Sequence, residues 1–309
     1  MTLALVAHAV VAGWWVPRTA QGSDWARRDP ICALTLLGCA VLGFGGAVAG
    51  LMLLVSHDVI EFALVHALQG DMGALHESFA GVVAGASWWW AAATVLGAVL
   101  LVVGDVAASC WRARPHDAAL RGAGRARPEL GNDVVVVASS RAGIWSLRGR
   151  GPGVVVTTAA MSALSSVELS AALAHERAHI ARRHHILVMA ATGLSRRLGW
   201  CGAFAPLAAL VSELVELDAD DVAARQCGAR TVALALLRLG SVDAGPRTAL
   251  GMGSSSTGRR ITRLVDPGYV VVTHSERLVR ATYSAWVIAV PAMLMALPGL
   301  ALGHSTHTI

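Results

Sequence analysis

From Ile31 to Val55 the chain reads "ICALTLLGCAVLGFGGAVAGLMLLV", 25 residues without one charged side chain. About 20 mostly apolar residues in helix cross a hydrocarbon layer, so this run predicts a membrane span. Val82 to Gly104 ("VVAGASWWWAAATVLGAVLLVVG") and Tyr283 to Gly303 ("YSAWVIAVPAMLMALPGLALG") meet the same test. Pro291 and Pro298 are tolerable in a membrane helix, where neighbouring groups satisfy the freed carbonyls. Met1 to Val16 is shorter and ends on Trp14 and Trp15, which suit an interface. It lacks a basic start, and its arginines follow the apolar stretch, so it reads as an uncleaved helix rather than a signal peptide. The composition agrees: 55% of the 309 residues are hydrophobic and only 15% charged, too apolar for an ordinary soluble domain. The expected architecture is mainly α, a multi-pass membrane protein with about four transmembrane helices, near 1–16, 31–55, 82–104 and 283–303.

Charge orients these spans. Every basic residue other than histidine is arginine, and the arginines gather beside the apolar runs. A membrane surface therefore explains the net charge of +5 better than nucleic acid does, and no direct nucleic-acid binding is expected. Arg18, Arg27 and Arg28 follow the first run, and Arg112, Arg114, Arg121, Arg125 and Arg127 follow the third. Residues 56–81 between them hold no arginine and four acids, Asp58, Glu61, Asp71 and Glu77. The positive-inside rule puts the arginine-bearing segments in the cytoplasm and the acidic loop outside. The expected layout is an N-terminal membrane region (1–109), a cytoplasmic domain (110–280), and a last helix with a short tail (281–309). Both termini then lie outside the cell membrane. The five cysteines form no CxxC pair and are odd in number, so they read as structural thiols.

Within the cytoplasmic part, residues 112–132 are rich in Arg, Gly, Ala and Pro and read as a linker or membrane-surface segment. "VVVVAS" (134–139), "AGIWSLRG" (142–149) and "GVVVTT" (153–158) are short runs bounded by turn residues, which predict a small antiparallel sheet. Ser165 with Glu168 three residues on makes a capping box for a helix running to about His185. Further helix is expected over 186–194 and from Pro206 to about Cys227.

The first of these helices holds "ALAHERAHIARRHH" (172–185). His175 and His179 stand four residues apart, so both rings leave one helix face a turn apart. That spacing lets two imidazoles reach one zinc ion, and Glu176 in the H-E-x-x-H arrangement acts as a general base toward water rather than as a ligand. At the chain's own residue frequencies the pattern arises by chance about 0.01 times, which is low enough to treat it as signal. A catalytic zinc needs a third protein ligand and an open position. Downstream, "SELVELDADDVAARQCG" (212–228) presents Glu216 and Asp220 at i, i+4 on another helix. Glu216 completes a His–His–Glu set, and Asp220 accepts the second N–H of a ligand histidine. A solvated acidic face is the plainer explanation of such a cluster, but it does not account for acids on an otherwise very apolar helix. One zinc per chain is the expected cofactor.

At "HERAH" (175–179) and "ELDADDVAA" (216–224) the chain resembles the BlaR/MecR-type membrane zinc metallopeptidases. More distantly it is similar to HtpX-like and CAAX prenyl proteases. "GVVVTTAAMSALSSVELSAALAHERAH" (153–179) follows their order of strand, turn and motif helix, and "GRRITRL" (258–264) resembles their closing Arg-rich helix. The resemblance implies an α+β gluzincin-type metallopeptidase domain cleaving a protein or peptide. It implies a third ligand from the 216–224 region, and a substrate that adds to an exposed edge strand at Val154, Val155 and Val156. It suggests a BlaI/MecI-like repressor as substrate, with membrane-protein quality control or processing as the alternative. The antibiotic-sensing members carry a penicillin-binding domain after their last helix, and here only a few residues follow Gly303; β-lactam sensing of that kind is not expected. The HtpX-like Thr-His-Pro has no counterpart in "SSSTGRRI" (254–261). A catalytically silent receptor keeping the fold is a further alternative, against which the presence of Glu176 speaks. His184 and His185 read as a polar, membrane-proximal helix end. His57, His66 and His76 in the outer loop are candidates for sensing metal or pH. His274 has only its chemistry to recommend it as a transition-state stabiliser.

Overall fold

The structure, a computed structural model, describes residues 2–67, 73–149, 151, 153–202, 204–243, 252–266 and 285. The expected C-terminal helix (283–303) and His274 lie outside the described residues. The N-terminal run forms α1 (Thr2–Val10), a π-helical turn (Val11–Trp15) and α2 (Val16–Gly22). Gly13 lets this segment close on the next long helix, where a Cβ would come within 2.5 Å of the Phe44 ring. After α3 (Asp24–Arg28) come two long helices, α4 (Pro30–Ala67) and α5 (Gly73–Ala123). Among the described residues one helix segment, Pro30–Met52 of α4, is long and apolar enough to cross a membrane. The second expected run (82–104) lies within α5, where few side chains are described; His57, His66 and His76 likewise fall on helix with undescribed side chains.

The expected linker at 112–132 is corrected here. Helix α5 continues through Pro115 to Ala123, and its 51 residues extend about 77 Å at 1.5 Å per residue. Docking on the sheet overrides the linker-like composition. Leu120 packs on Val135 and Val155, Asp117 accepts a hydrogen bond from the Arg148 N–H at 3.3 Å, and Arg121 donates to the Arg148 carbonyl.

The sheet comprises β1 (Arg125–Ala126), β2 (Val134–Val137), β3 (Ile144–Ser146) and β4 (Val154–Thr157) in the order β1-β2-β4-β3. It is mixed rather than antiparallel, because β2 and β4 run parallel with Val134 opposite Val154. Strand β4 is interior and its Val154, Val155 and Val156 are fully buried, so the expected exposed edge there is overturned. The physical reason is burial on both faces. Val154 and Val156 face the core made with α6 (Thr158–Ala163) and α7 (Ser166–Ala181), and Val155 faces Leu147, near α5. An unbroken Val run is what a doubly covered strand requires. The edge beside α7 is β3, where Ile144 is buried and Trp145 is 47% exposed.

The capping box forms as expected: Ser165 accepts from the Glu168 N–H while the Glu168 carboxylate accepts from the Ser165 N–H at 2.8 Å. Helix α7 does not run on to His185. It stops at Ala181, and Arg183 takes a left-handed conformation (φ 53°, ψ 38°) before α8 (His184–Leu198) begins. The remaining helices are α9 (Leu207–Cys227), α10 (Ala229–Asp243) and α11 (Met252–Val265). Helix α9 is covered nearly all round. Its Leu210, Val211, Leu214 and Val215 share a core with Ala33 and Leu37 of α4 and Ala191 of α8, while Ala223 joins Ala171 and Ala174 of α7. The foot of the apolar α4 is thereby packed against the helices that carry the site. Cys32, Cys39, Cys110 and Cys227 are free thiols, as expected.

Candidate metal centre

Helices α7 and α9 pack against each other through alanine-rich surfaces, which bring their polar positions close. His175 Nε2 and His179 Nε2 approach to 3.1 Å. Glu216 reaches both, with Oε2 3.5 Å from His175 Nε2 and Oε1 3.5 Å from His179 Nε2. A tetrahedral zinc with bonds of about 2.0–2.1 Å separates its donor atoms by about 3.3–3.4 Å. The separations of 3.1, 3.5 and 3.5 Å, the last two to different Glu216 oxygens, are close to that donor spacing. All three residues line the cavity that also holds Glu176. By this test the donor set fits zinc, and the three residues that come together are those the helical spacing singled out.

Carboxylates and arginines fix the triangle. Asp220, fully buried, places Oδ1 3.0 Å from His175 Nδ1, although off the axis of the ring N–H. Arg260 from α11 donates to both Asp220 oxygens at 2.7 Å and sets Nη1 2.9 Å from Glu216. Burial opposes the charging of each group here, and the local partners decide the outcome. For Glu216, the hydrogen bond from His175 and the Arg260 charge outweigh burial and hold its pKa down at about 2. For Asp220, the Arg260 and His175 hydrogen bonds do the same, again to about 2. His175 is held up at about 9, because the Asp220 and Glu216 carboxylates beside it overcome its burial. His179, without such a carboxylate bond, is pushed down to about 4 by burial and then by the neighbouring His175 charge.

The acids of α9 are not a solvated face. Arg27 pairs with Glu213 at 3.0 Å, Arg182 with Asp218 at 2.8 Å, and Arg263 with Asp221 at 2.6 Å. Glu176 sits beside the triangle in a cavity of about 730 Å³, bounded by β3, α7 and the first turns of α8. Burial raises its pKa above the usual carboxylate range, opposed by the His175 charge, and Ser146 of β3 hydrogen bonds to it.

Two features escaped the sequence. His184 is 2% exposed rather than a polar helix end, with Nδ1 2.9 Å from His179 Nδ1 and Nε2 3.0 Å from Asp218. No Gly or Pro marks the break at Arg183 that turns it inward. Ser146 was missed with the edge strand, although its run alternates buried and exposed residues where "GVVVTT" does not. His185 lines the cavity but bonds to none of the ligand set.

Two histidines and an acid from a second helix form a group that could hold a metal ion, with the Glu176 carboxyl beside them. Residues 112–237 match the family model described as Peptidase family M48, a span that contains the whole triangle and Glu176. The match supports a metallopeptidase domain of that family, whose members are zinc enzymes. No curated protein and no solved structure matches the chain significantly.

Proposed function

We propose that the chain is a zinc-dependent endopeptidase working at a membrane surface. The observation that carries this reading is the close triangle of donor residues, with Glu176 beside it in the same cavity. His175, His179 and Glu216 would hold the metal. When bound, zinc supplies a Lewis acid that polarises the scissile carbonyl and acidifies water. Glu176 takes the proton of the attacking water and delivers it to the leaving amine. Its burial disfavours the anion, which strengthens it as a base, and Ser146 lines the same cavity beside it. The substrate lies extended along the outer edge of β3, adding a strand beyond Trp145, in place of the β4 edge the resemblance implied.

The apolar stretch Pro30–Met52, with Arg18, Arg27 and Arg28 before it, supports a cell-membrane protein whose catalytic helices stand on the cytoplasmic side. A BlaI/MecI-like repressor is the regulatory substrate that the resemblance suggests. A second reading, processing of membrane proteins, is favoured by the exposed apolar residues at the cavity, Trp145, Ile180 and Ile186. The purified full-length chain, given a repressor of that kind or a destabilised membrane protein, distinguishes the two by which is cut. Glu176→Gln abolishes either cleavage; a variant that still cuts contradicts the catalytic assignment.

A further inference from the structure

The two histidines of the triangle are supported in different ways. Asp220 stands directly behind His175. Among the described residues no carboxylate stands behind His179; there is a second histidine, His184, and the carboxylate comes only after it. His179 Nδ1 and His184 Nδ1 are 2.9 Å apart, and His184 Nε2 is 3.0 Å from Asp218 Oδ2. Arg182 donates to both Asp218 oxygens at 2.8 Å. His184 and Asp218 are almost wholly buried, at 2% and 1% exposure. The rings of His179 and His184 meet edge to face at 83°, and the contact between their Nδ1 atoms is a hydrogen bond whose direction the tautomers set.

We propose that His184 and Asp218 are positioning residues that fix the tautomer of His179 for metal binding. The proposal rests on the metal-centre reading above. A carboxylate only accepts, so Asp218 requires the proton of His184 on Nε2. In a neutral imidazole with its proton on Nε2 the Nδ1 is a lone pair, and the 2.9 Å contact is then satisfied only if His179 carries its proton on Nδ1. That leaves the His179 Nε2 lone pair free, and Nε2 is the atom turned to the triangle. Arg182 holds Asp218 from the other side, so the carboxylate cannot rotate away from the chain of bonds. The left-handed Arg183 makes the arrangement possible: an unbroken helix would carry His184 round to another face, whereas the break at Arg183 points it back at His179. A non-glycine residue in that conformation is strained, and the buried pairings offset the strain. Support of this kind behind a ligand histidine is worth about 10–100-fold in metal affinity.

The test is zinc affinity of the full-length chain in detergent, by competition with a chelator, for wild type, His184→Leu and His184→Asn. Leucine offers the His179 N–H no acceptor, whereas the asparagine carbonyl stands near the place of Nδ1. Both lose the bond to Asp218 equally. We expect affinity to fall 10–100-fold in His184→Leu and to stay within about threefold of wild type in His184→Asn. His184→Gln, whose carbonyl stands one bond farther out, replaces the leucine variant should that one fail to fold, and is expected to lose affinity as it does. Equal affinities in all variants, or an equal fall in both, overturn the positioning role while leaving the centre in place. A wild-type chain that binds no zinc overturns the centre and this role together.

Discussion

The donor triangle and strand β3 bound the same cavity, yet different forces hold them. The triangle is built on two helices whose polar groups are tied by ion pairs: Asp220 and Glu216 to Arg260, Asp218 to Arg182 and His184. Strand β3 is held by apolar burial of Ile144 and Leu147 and by backbone bonds to β4, with its outer edge open. The difference matches two tasks. Metal geometry tolerates errors of only a few tenths of an ångström, and buried charge pairs enforce it because either partner left alone is unstable. A substrate strand has to accept many sequences, and an open backbone edge does so without side-chain specificity.

That contrast is broken most severely at Arg260. Arg260→Leu strands the fully buried Asp220 without its partner and takes the guanidinium away from the half-buried Glu216, and we expect a loss of about 3–5 kcal/mol in stability together with loss of bound zinc. Thermal unfolding and metal content measure both; a variant that keeps its zinc and its unfolding midpoint shows that the triangle stands without the arginine. A smaller pair of effects separates the strands. Val155→Ala in β4 should lower stability by about 2 kcal/mol with KM unchanged. Trp145→Ala in β3 should change stability by less than about 0.5 kcal/mol while raising KM several-fold. The reverse result, KM moving with Val155 and stability with Trp145, would return the substrate to β4.

The smallest effect expected is a proton. In the metal-free protein His175 is held up at about 9 from an ordinary 6.5, so it is charged at pH 7.5 and has to lose that proton to bind metal. Calorimetry of zinc binding in buffers of different ionisation enthalpy should show release of about one proton at pH 7.5. The same raised pKa has a sign for folding: its contribution to metal-free stability is complete below pH 6.5 and disappears as the pH rises through 9. Zinc uptake without proton release would contradict the Asp220–His175–Glu216 arrangement.

The triangle was legible in the sequence because its information is local. Residues four apart on a helix share a face, so His175 with His179 and Glu216 with Asp220 needed only the helix period. Pairing the two helices required one further step, the recognition that acids on a covered helix need partners. What the sequence hid was non-local or conformational. The place of β4 between β2 and β3 is set by which strands the α5 and α7 surfaces cover, although the unbroken Val run already pointed to burial on both faces. The helix through Ala123 is held by Leu120, Asp117 and Arg121 against the sheet, contacts that composition does not reveal. His184 turned inward because Arg183 adopts a conformation that no residue type there announces.

The most direct measurement is zinc content beside proteolysis for Glu176→Gln. Glu176 touches Ser146 and the cavity but completes no edge of the triangle, so we expect about one zinc per chain, as in wild type, with cleavage reduced at least 10²-fold. Cleavage at the wild-type rate, or loss of the zinc along with the activity, would contradict the division between a residue that moves the proton and three that hold the metal.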